Sequence, residues 1–181
     1  FPALIQSLLR DLSFIAAQSA ADAERFIALG ADANKVQITG SVKFDLTLTE
    51  EMKTEARLLR SQWAKRPCLI AASTHQGEEE SVLVAFRKIK QAHPDALLIL
   101  VPRHPQRFDR VAEEIKSSGF SLMRRSQGQV LAAENEVLLA DTMGELLMLY
   151  ACADVAFVGG SLVSQGGHNV LEPAAWGLPV L

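Results

Sequence analysis

The chain has 181 residues, 49% of them hydrophobic and 22% charged, with a formal net charge of −3 at pH 7, the profile of an ordinary soluble globular protein. That charge gives no general attraction to nucleic acid or anionic lipid, so any bound anion must be held by local cations or backbone N–H groups. Two cysteines without metal-like spacing point to buried thiols in a reducing compartment rather than a zinc or disulfide framework, and no apolar run approaches the roughly 18 residues of a membrane span.

In chain order, residues 4–10 read as the tail of a helix, Ser13 to Ala17 as a strand, Ala20 to Leu29 as a helix ended by Gly30, and Val36 to Thr39 as a strand, together one βαβ unit. Phe1 and Pro2 enter this pattern partway and Leu181 ends inside a strand-like run, so the expectation is an interior piece of a longer protein. Gly40 to Thr49 has no clear period and is the expected linker, which divides the chain into 1–40, 41–49 and 50–181. Met52, Ala56, Leu59 and Trp63 then mark one face of a helix. From there short apolar runs alternate with amphipathic segments. Strands are expected at Cys68 to Ala72, Ala96 to Val101, Phe120 to Met123, Val137 to Ala140 and Val155 to Val158. Helices are expected at Glu78 to Gln91, with Val82, Ala85, Phe86 and Ile89 inward, around Phe108 to Ile115, and at Gly144 to Tyr150. Unpatterned apolar strands between amphipathic helices mean a parallel sheet covered on both faces, an α/β doubly wound domain. The polar stretch Gln127 to Glu136 is expected at the surface.

In such a sheet the ligand lies beyond the carboxyl ends of the strands. The last strand runs into Gly159 and Gly160, then Gly166 and Gly167, then Asn169 as a helix N-cap; backbone N–H groups there suit a phosphate. Glu172, about one turn into that helix, can accept hydrogen bonds from ribose hydroxyls, or it is a solvated acid on a glycine-rich turn. Arg103, held between Pro102 and Pro105, offers a planar fork to a phosphate or carboxylate. Met143-Gly144-Glu145 opens a helix directly after a strand; either its N–H groups meet a ligand or Glu145 is a first-turn acid. The run Glu78-Glu79-Glu80 reads as solvated charge favourable to a helix start. His75 and His104 either serve the site or are bystanders in their loops. Lys43 is either a solvated linker lysine or a cation at the border of an interdomain cleft, able to offset charge on a leaving group.

Six stretches taken together resemble one family. They are Gly40-Ser41-Val42-Lys43-Phe44-Asp45, Ser73 to Glu79, Pro102-Arg103-His104-Pro105, Asp141 to Leu146, Gly159 to Val163 and Gly166 to Ala175. Their order and spacing are similar to the 3-deoxy-D-manno-octulosonic acid (Kdo) transferases of lipid A and lipopolysaccharide assembly. The resemblance implies a GT-B glycosyltransferase of two Rossmann-like domains that needs no cofactor and no catalytic metal. It implies transfer of Kdo from CMP-Kdo to a lipid A precursor, lipid IVA, at the cytoplasmic face of the bacterial inner membrane. By the same resemblance Pro102, Arg103, Met143, Gly144, Glu145, Asn169, Val170, Leu171 and Glu172 would bind CMP, and Lys43 would stabilise the transition state. The family's proton acceptor is a glutamate in the amino-terminal domain, which also takes the acceptor, near a membrane-associated segment. The chain begins after both, so donor binding without sugar transfer is expected of it. The rival readings are another GT-B nucleotide-sugar enzyme, such as a UDP-sugar transferase or epimerase, and a nucleotide-binding module without catalysis.

Overall fold

The structure, a computed structural model, describes residues 2–41, 46–63 and 65–181. The chain divides into two compact units, 1–46 and 47–181. In the first, α1 (Pro2–Asp11) leads to β1 (Ile15–Ala17), α2 (Ala20–Ala28) and β2 (Val36–Ile38). The two strands pair in parallel with Ile15 opposite Val36, and Leu9, Ile15 and Ala31 close a small core. Ser19 starts α2 because its hydroxyl accepts the Asp22 N–H at 3.2 Å, satisfying a donor that the first helical turn leaves open. Lys43 lies outside the described residues.

The second unit opens with α3 (Glu50–Ser61), capped by Thr49 in the same way. Ala56 is buried on it and Met52 and Leu59 pack against the core; Trp63 is buried too, but just past the helix end. Five strands follow, β3 (Cys68–Thr74), β4 (Leu97–Pro102), β5 (Leu122–Arg124), β6 (Val137–Leu139) and β7 (Val155–Val158), all parallel, in the order β5-β6-β4-β3-β7. Between them run α4 (Glu78–Ala92), α5 (Phe108–Ser117) and α6 (Leu146–Tyr150), with α7 (Leu171–Ala175) after β7. Side chains on a strand alternate between faces, and here both faces are covered. Leu97, Ile99 and Val101 face the cluster with Ala56, Leu149 and Tyr150, whereas Leu98 and Leu100 face Val82, Phe86, Val111 and Ile115. This is the α/β, Rossmann-like, doubly wound class expected from the sequence. Both cysteines are buried thiols; burial pushes Cys68 up to about 11 and Cys152 up to about 12.

Two expectations about packing need correction. On α4 the buried stripe is Glu78, Glu79, Val82, Leu83 and Phe86, and Ala85 is exposed. The stripe is turned by about one position because its first turn dives into the sheet edge instead of facing water. The polar stretch 127–136 is mostly at the surface, yet Leu131 drops into the core beside Met123 and Leu138. Beyond the last helix, Val180 bridges Ala156 in parallel, with Leu181 N–H donating to the Ala156 carbonyl at 2.8 Å.

Candidate functional site

The chain leaves β3 toward β4 on one side and later returns to β7 on the other, so the carboxyl ends of β3 and β7 form a topological switch point, where ligands of open α/β sheets bind. Local sequence shapes it. At the end of β3 the register with β4 slips between Ala72 and Thr74, which leaves Ser73 as an extra residue. Ser73 has φ 55°, the one non-glycine residue in the left-handed region among the described residues, a conformation that costs roughly 1–2 kcal/mol outside glycine. Gly159 is required beside it: a Cβ there would stand 2.4 Å from the Ser73 carbonyl oxygen. At Gly160 a Cβ would meet the Gly166 carbonyl oxygen at 2.3 Å. These glycines serve backbone-to-backbone packing of the two loops.

The expectation that Glu78 and Glu79 are solvated is overturned; both are fully buried, and only Glu80 is exposed. The Glu78 carboxylate accepts the Gly160 N–H at 2.9 Å, the Leu162 N–H at 3.1 Å and the His75 N–H at 2.9 Å. Burial alone would push this carboxyl up, but the three N–H groups outweigh it and hold the group below its usual range. Glu78 therefore ties the loop after β3 to the loop after β7. It also removes the Gly160 and Leu162 N–H groups from the phosphate role foreseen for the glycine loop, because they are already donated to a carboxylate. Glu79 takes a bidentate pair from Arg107, at 2.6 and 3.0 Å, and the Thr74 hydroxyl at 2.9 Å.

What remains for a ligand is cationic. The His75 Nε2 lies 2.6 Å from the His168 Nε2, and the His104 ring stands edge-on to His75 with centroids 5.5 Å apart. Burial holds the His168 imidazole below its usual range, helped by His75 and by Arg103, with Glu78 opposing. Arg103 is exposed, and among the described residues its guanidinium has no ion pair and no hydrogen bond. Three other arginines that follow strand ends are matched to acids: Arg107 to Glu79, Arg124 to Asp141 and Asp109, Arg125 to Glu145. Pro102 is buried at the end of β4 and sets Arg103 at the sheet edge, where the Arg103 N–H donates to the Thr74 carbonyl at 3.0 Å.

The loop after β6 carries the other foreseen residues. Asp141 accepts from Arg124 at 2.6 Å and from the Ser126 N–H at 2.8 Å, which fixes the loop. Met143 and Gly144 are exposed, Gly144 with φ 85°. The Glu145 carboxylate is held by Arg125 at 2.8 Å and by the Thr142 hydroxyl. After β7, the Asn169 Oδ1 accepts the Leu171 N–H at 3.0 Å, so Asn169 does serve the start of α7. That helix has only five residues, however, too short for the dipole foreseen for it. Val170 is exposed, and Leu171 and Glu172 are half-buried, the Glu172 carboxylate having no ion pair among the described residues.

A cavity of about 780 Å³ lies at the opposite, amino-terminal edge of the sheet, lined among others by Lys53, Arg57, Arg60, Lys65, Arg66 and Asp154. Its size does not make it the site. Arg66 donates to the Asp95 and Asn135 carbonyls at 2.7 and 2.6 Å, Arg60 to Asp154 at 3.1 Å, and Lys53 pairs with Glu50 at 2.7 Å. Arg60 and Arg66 thus hold strand starts, whereas Arg57 and Lys65 have no ion pair and no hydrogen bond among the described residues. What counts against this edge is its place at the strand starts, away from the carboxyl ends where such sheets bind ligands. Sequence reasoning passed over His168 and the clamp of Glu78; a histidine directly before the capping Asn169 and an acid directly after Gly77 were the available signals.

A sequence profile described as "3-Deoxy-D-manno-octulosonic-acid transferase (kdotransferase)" matches residues 1–46. The chain is 44% identical over 98% of its length to a 3-deoxy-D-manno-octulosonic acid transferase of Haemophilus influenzae, and 40% identical over 98% to one of Bordetella pertussis. It spans 42% of the length of each of these relatives. Among solved structures, it is similar to the C-terminal CMP-Kdo binding domain of WaaA from Acinetobacter baumannii, with 41% identity and a TM-score of 0.69, over 73% of this chain and 70% of that one. A parallel sheet of this order, a cationic edge at its switch point and this degree of likeness agree: the chain belongs to the family of 3-deoxy-D-manno-octulosonic acid (Kdo) transferases.

Proposed function

We propose that the chain is the donor-binding part of a glycosyltransferase that moves Kdo from CMP-Kdo to a lipid A precursor, lipid IVA, in lipopolysaccharide assembly. The observation that supports this most is the likeness of the second unit's fold and sequence to a domain described as CMP-Kdo binding. In this reading residues 1–40 end an acceptor-side, Rossmann-like domain, 41–49 link, and 50–181 hold the donor. Arg103, without a carboxylate partner, takes the donor's phosphate or carboxylate. Backbone of Met143, Gly144 and Glu145 contacts the nucleotide, the Glu145 side chain being committed to Arg125. Asn169, Val170 and Leu171 line the nucleotide, and Glu172 accepts the ribose hydroxyls. The general base and the membrane attachment come from parts of the relatives' length that this chain does not span, and the whole enzyme works at the cytoplasmic face of the inner membrane. Among the described residues no helix is long and apolar enough to cross a membrane.

Transfer in one displacement places growing negative charge on the departing phosphate, and Lys43 is the residue proposed to offset it. Preorganised charge of this kind contributes about 2.7–4 kcal/mol of barrier lowering. Lys43→Ala in the whole enzyme should then cut turnover about a hundredfold or more, with donor affinity changed only several-fold. Unchanged turnover would remove Lys43 from the mechanism. The donor itself is tested by calorimetry of the chain with CMP and with UDP. Preferential binding of CMP, without sugar transfer by the chain alone, is expected; preference for UDP would move the reading to a UDP-sugar enzyme.

A further inference from the structure

We propose that His75 and His168 act as one proton-sharing unit that receives an anionic group of the donor, its phosphodiester or its sugar carboxylate. This rests on the donor-site reading above, and it gives a role to two residues which that reading leaves unused. The ring planes lie within 15° of each other, with centroids 4.9 Å apart and Nε2 atoms 2.6 Å apart. The centroid separation is close to the Nε2 distance plus one ring radius on each side. The rings therefore meet edge to edge in nearly one plane, as a hydrogen bond needs, and are not stacked face on face.

One proton lies on that bond. The ring that accepts it must carry its own proton on Nδ1, so the pair always presents at least one N–H away from the bond. The donating ring can take a further proton on its Nδ1, which makes the pair a monocation without disturbing the bond. Protonating both Nε2 atoms would set N–H against N–H. A shared zinc does not explain the geometry, because bonds of about 2.0–2.1 Å in a tetrahedral site keep two nitrogens roughly 3.3 Å apart.

The surroundings favour an anion. Facing the pair are Arg103 and His104 from the loop after β4 and Glu78 from α4. Both oxygens of Glu78 are taken up by the His75, Gly160 and Leu162 N–H groups. Arg103 has no acid partner among the described residues. The cluster thus gathers three imidazoles and a guanidinium around a single acid already in use. The same clamp fixes the position of the pair: the His75 N–H is held by Glu78, and the His168 N–H donates to the Gly159 carbonyl at 3.2 Å. Burial first, and then the neighbouring cationic groups, disfavour the charged His168 imidazole; an anion placed here offsets both, so binding should draw a proton from solution.

The test is calorimetry of the chain with cytidine, cytidine 5′-methyl phosphate and CMP-Kdo, near pH 7, in two buffers of different ionisation enthalpy. The methyl ester is used because its phosphodiester does not itself titrate there. The expected result is net proton uptake with an anionic ligand and none with cytidine. His168→Gln and, separately, His75→Gln should abolish the uptake and weaken anion binding at least about tenfold, the effect of losing a hydrogen bond to a charged group, with cytidine within about twofold. Weakening of both anionic ligands places the phosphodiester on the pair; weakening of CMP-Kdo alone places the carboxylate there. Proton uptake is read on the unaltered chain, so the test survives a variant that fails to fold. Anion binding with no uptake and no sensitivity to either variant overturns the inference and leaves the donor site standing. Equal loss of cytidine binding overturns it by making the pair structural, and no binding of either anionic ligand overturns both readings.

Discussion

The two edges of the sheet in the second unit use charge in opposite ways. At the amino-terminal edge, cations gather around a large cavity, yet Arg60 and Arg66 are bound to Asp154 and to backbone carbonyls, so their charge holds strand starts in place. At the carboxyl-terminal edge the acids are the committed groups. Glu78 is filled by backbone N–H groups, Glu79 by Arg107, Asp141 by Arg124 and Glu145 by Arg125, which among the described residues leaves Arg103 and three histidines without an ion pair, and of the acids foreseen for the site only Glu172 without one. A count of basic residues or a cavity volume favours the first edge. Topology favours the second, because it is the switch point at the carboxyl ends of β3 and β7, where open α/β sheets bind ligands, and because Arg103 stands there without an acid partner among the described residues.

The sharpest way to break this comparison is to exchange roles within one loop. Arg107 and Arg103 lie four residues apart, one matched to a buried acid and one not. Arg107→Ala strands the Glu79 carboxylate in the interior, and a broken buried pair costs about 3–5 kcal/mol. Its urea midpoint should fall accordingly, with Glu79→Ala showing a loss of similar size. Arg103→Ala should do the reverse: unchanged stability, with CMP binding weakened by about 1.5–3 kcal/mol and cytidine binding nearly untouched. Equal effects of Arg103→Ala and Arg107→Ala on both measurements would erase the distinction.

Acid titration sharpens the comparison further. The folded state holds the Glu78 carboxyl below its ordinary 4.5, so it binds fewer protons there than the unfolded chain does. The stability it contributes is present above that ordinary value and is lost as pH falls through the depressed one. Glu78→Gln should lower stability at pH 7 by roughly 1–3 kcal/mol through mismatched N–H groups, and the remaining stability should fall less steeply below pH 4.5. Denaturation curves between pH 3 and pH 7 check both parts, and an acid limb as steep as in the unaltered chain would contradict the assignment.

The contrast between the edges also explains what was legible in the sequence. Strands such as Leu97–Pro102 and Val155–Val158 are local apolar runs, and α5 shows its inward face in Val111, Ala112 and Ile115, so spacing alone finds them. Arg103 could be singled out because its restraint by two prolines is local. The burial of Glu78 could not, because its partners Gly160 and Leu162 lie 82 and 84 residues away, and three consecutive glutamates at a helix start look like solvated charge until that loop arrives. His168 was hidden for the same reason: its partner His75 is 93 residues distant. Leu131, a lone apolar residue in a polar stretch, gives no periodic signal at all.

The central claim is that the anion of the donor binds at the carboxyl-terminal edge and not in the larger basic cavity. Backbone amide chemical-shift mapping of the chain during titration with CMP tests it most directly. Perturbations should concentrate at His75, Arg103, Gly144, His168 and Glu172, with Lys53, Arg57 and Lys65 unmoved. A pattern centred on those three, with the histidine loops silent, would contradict the account.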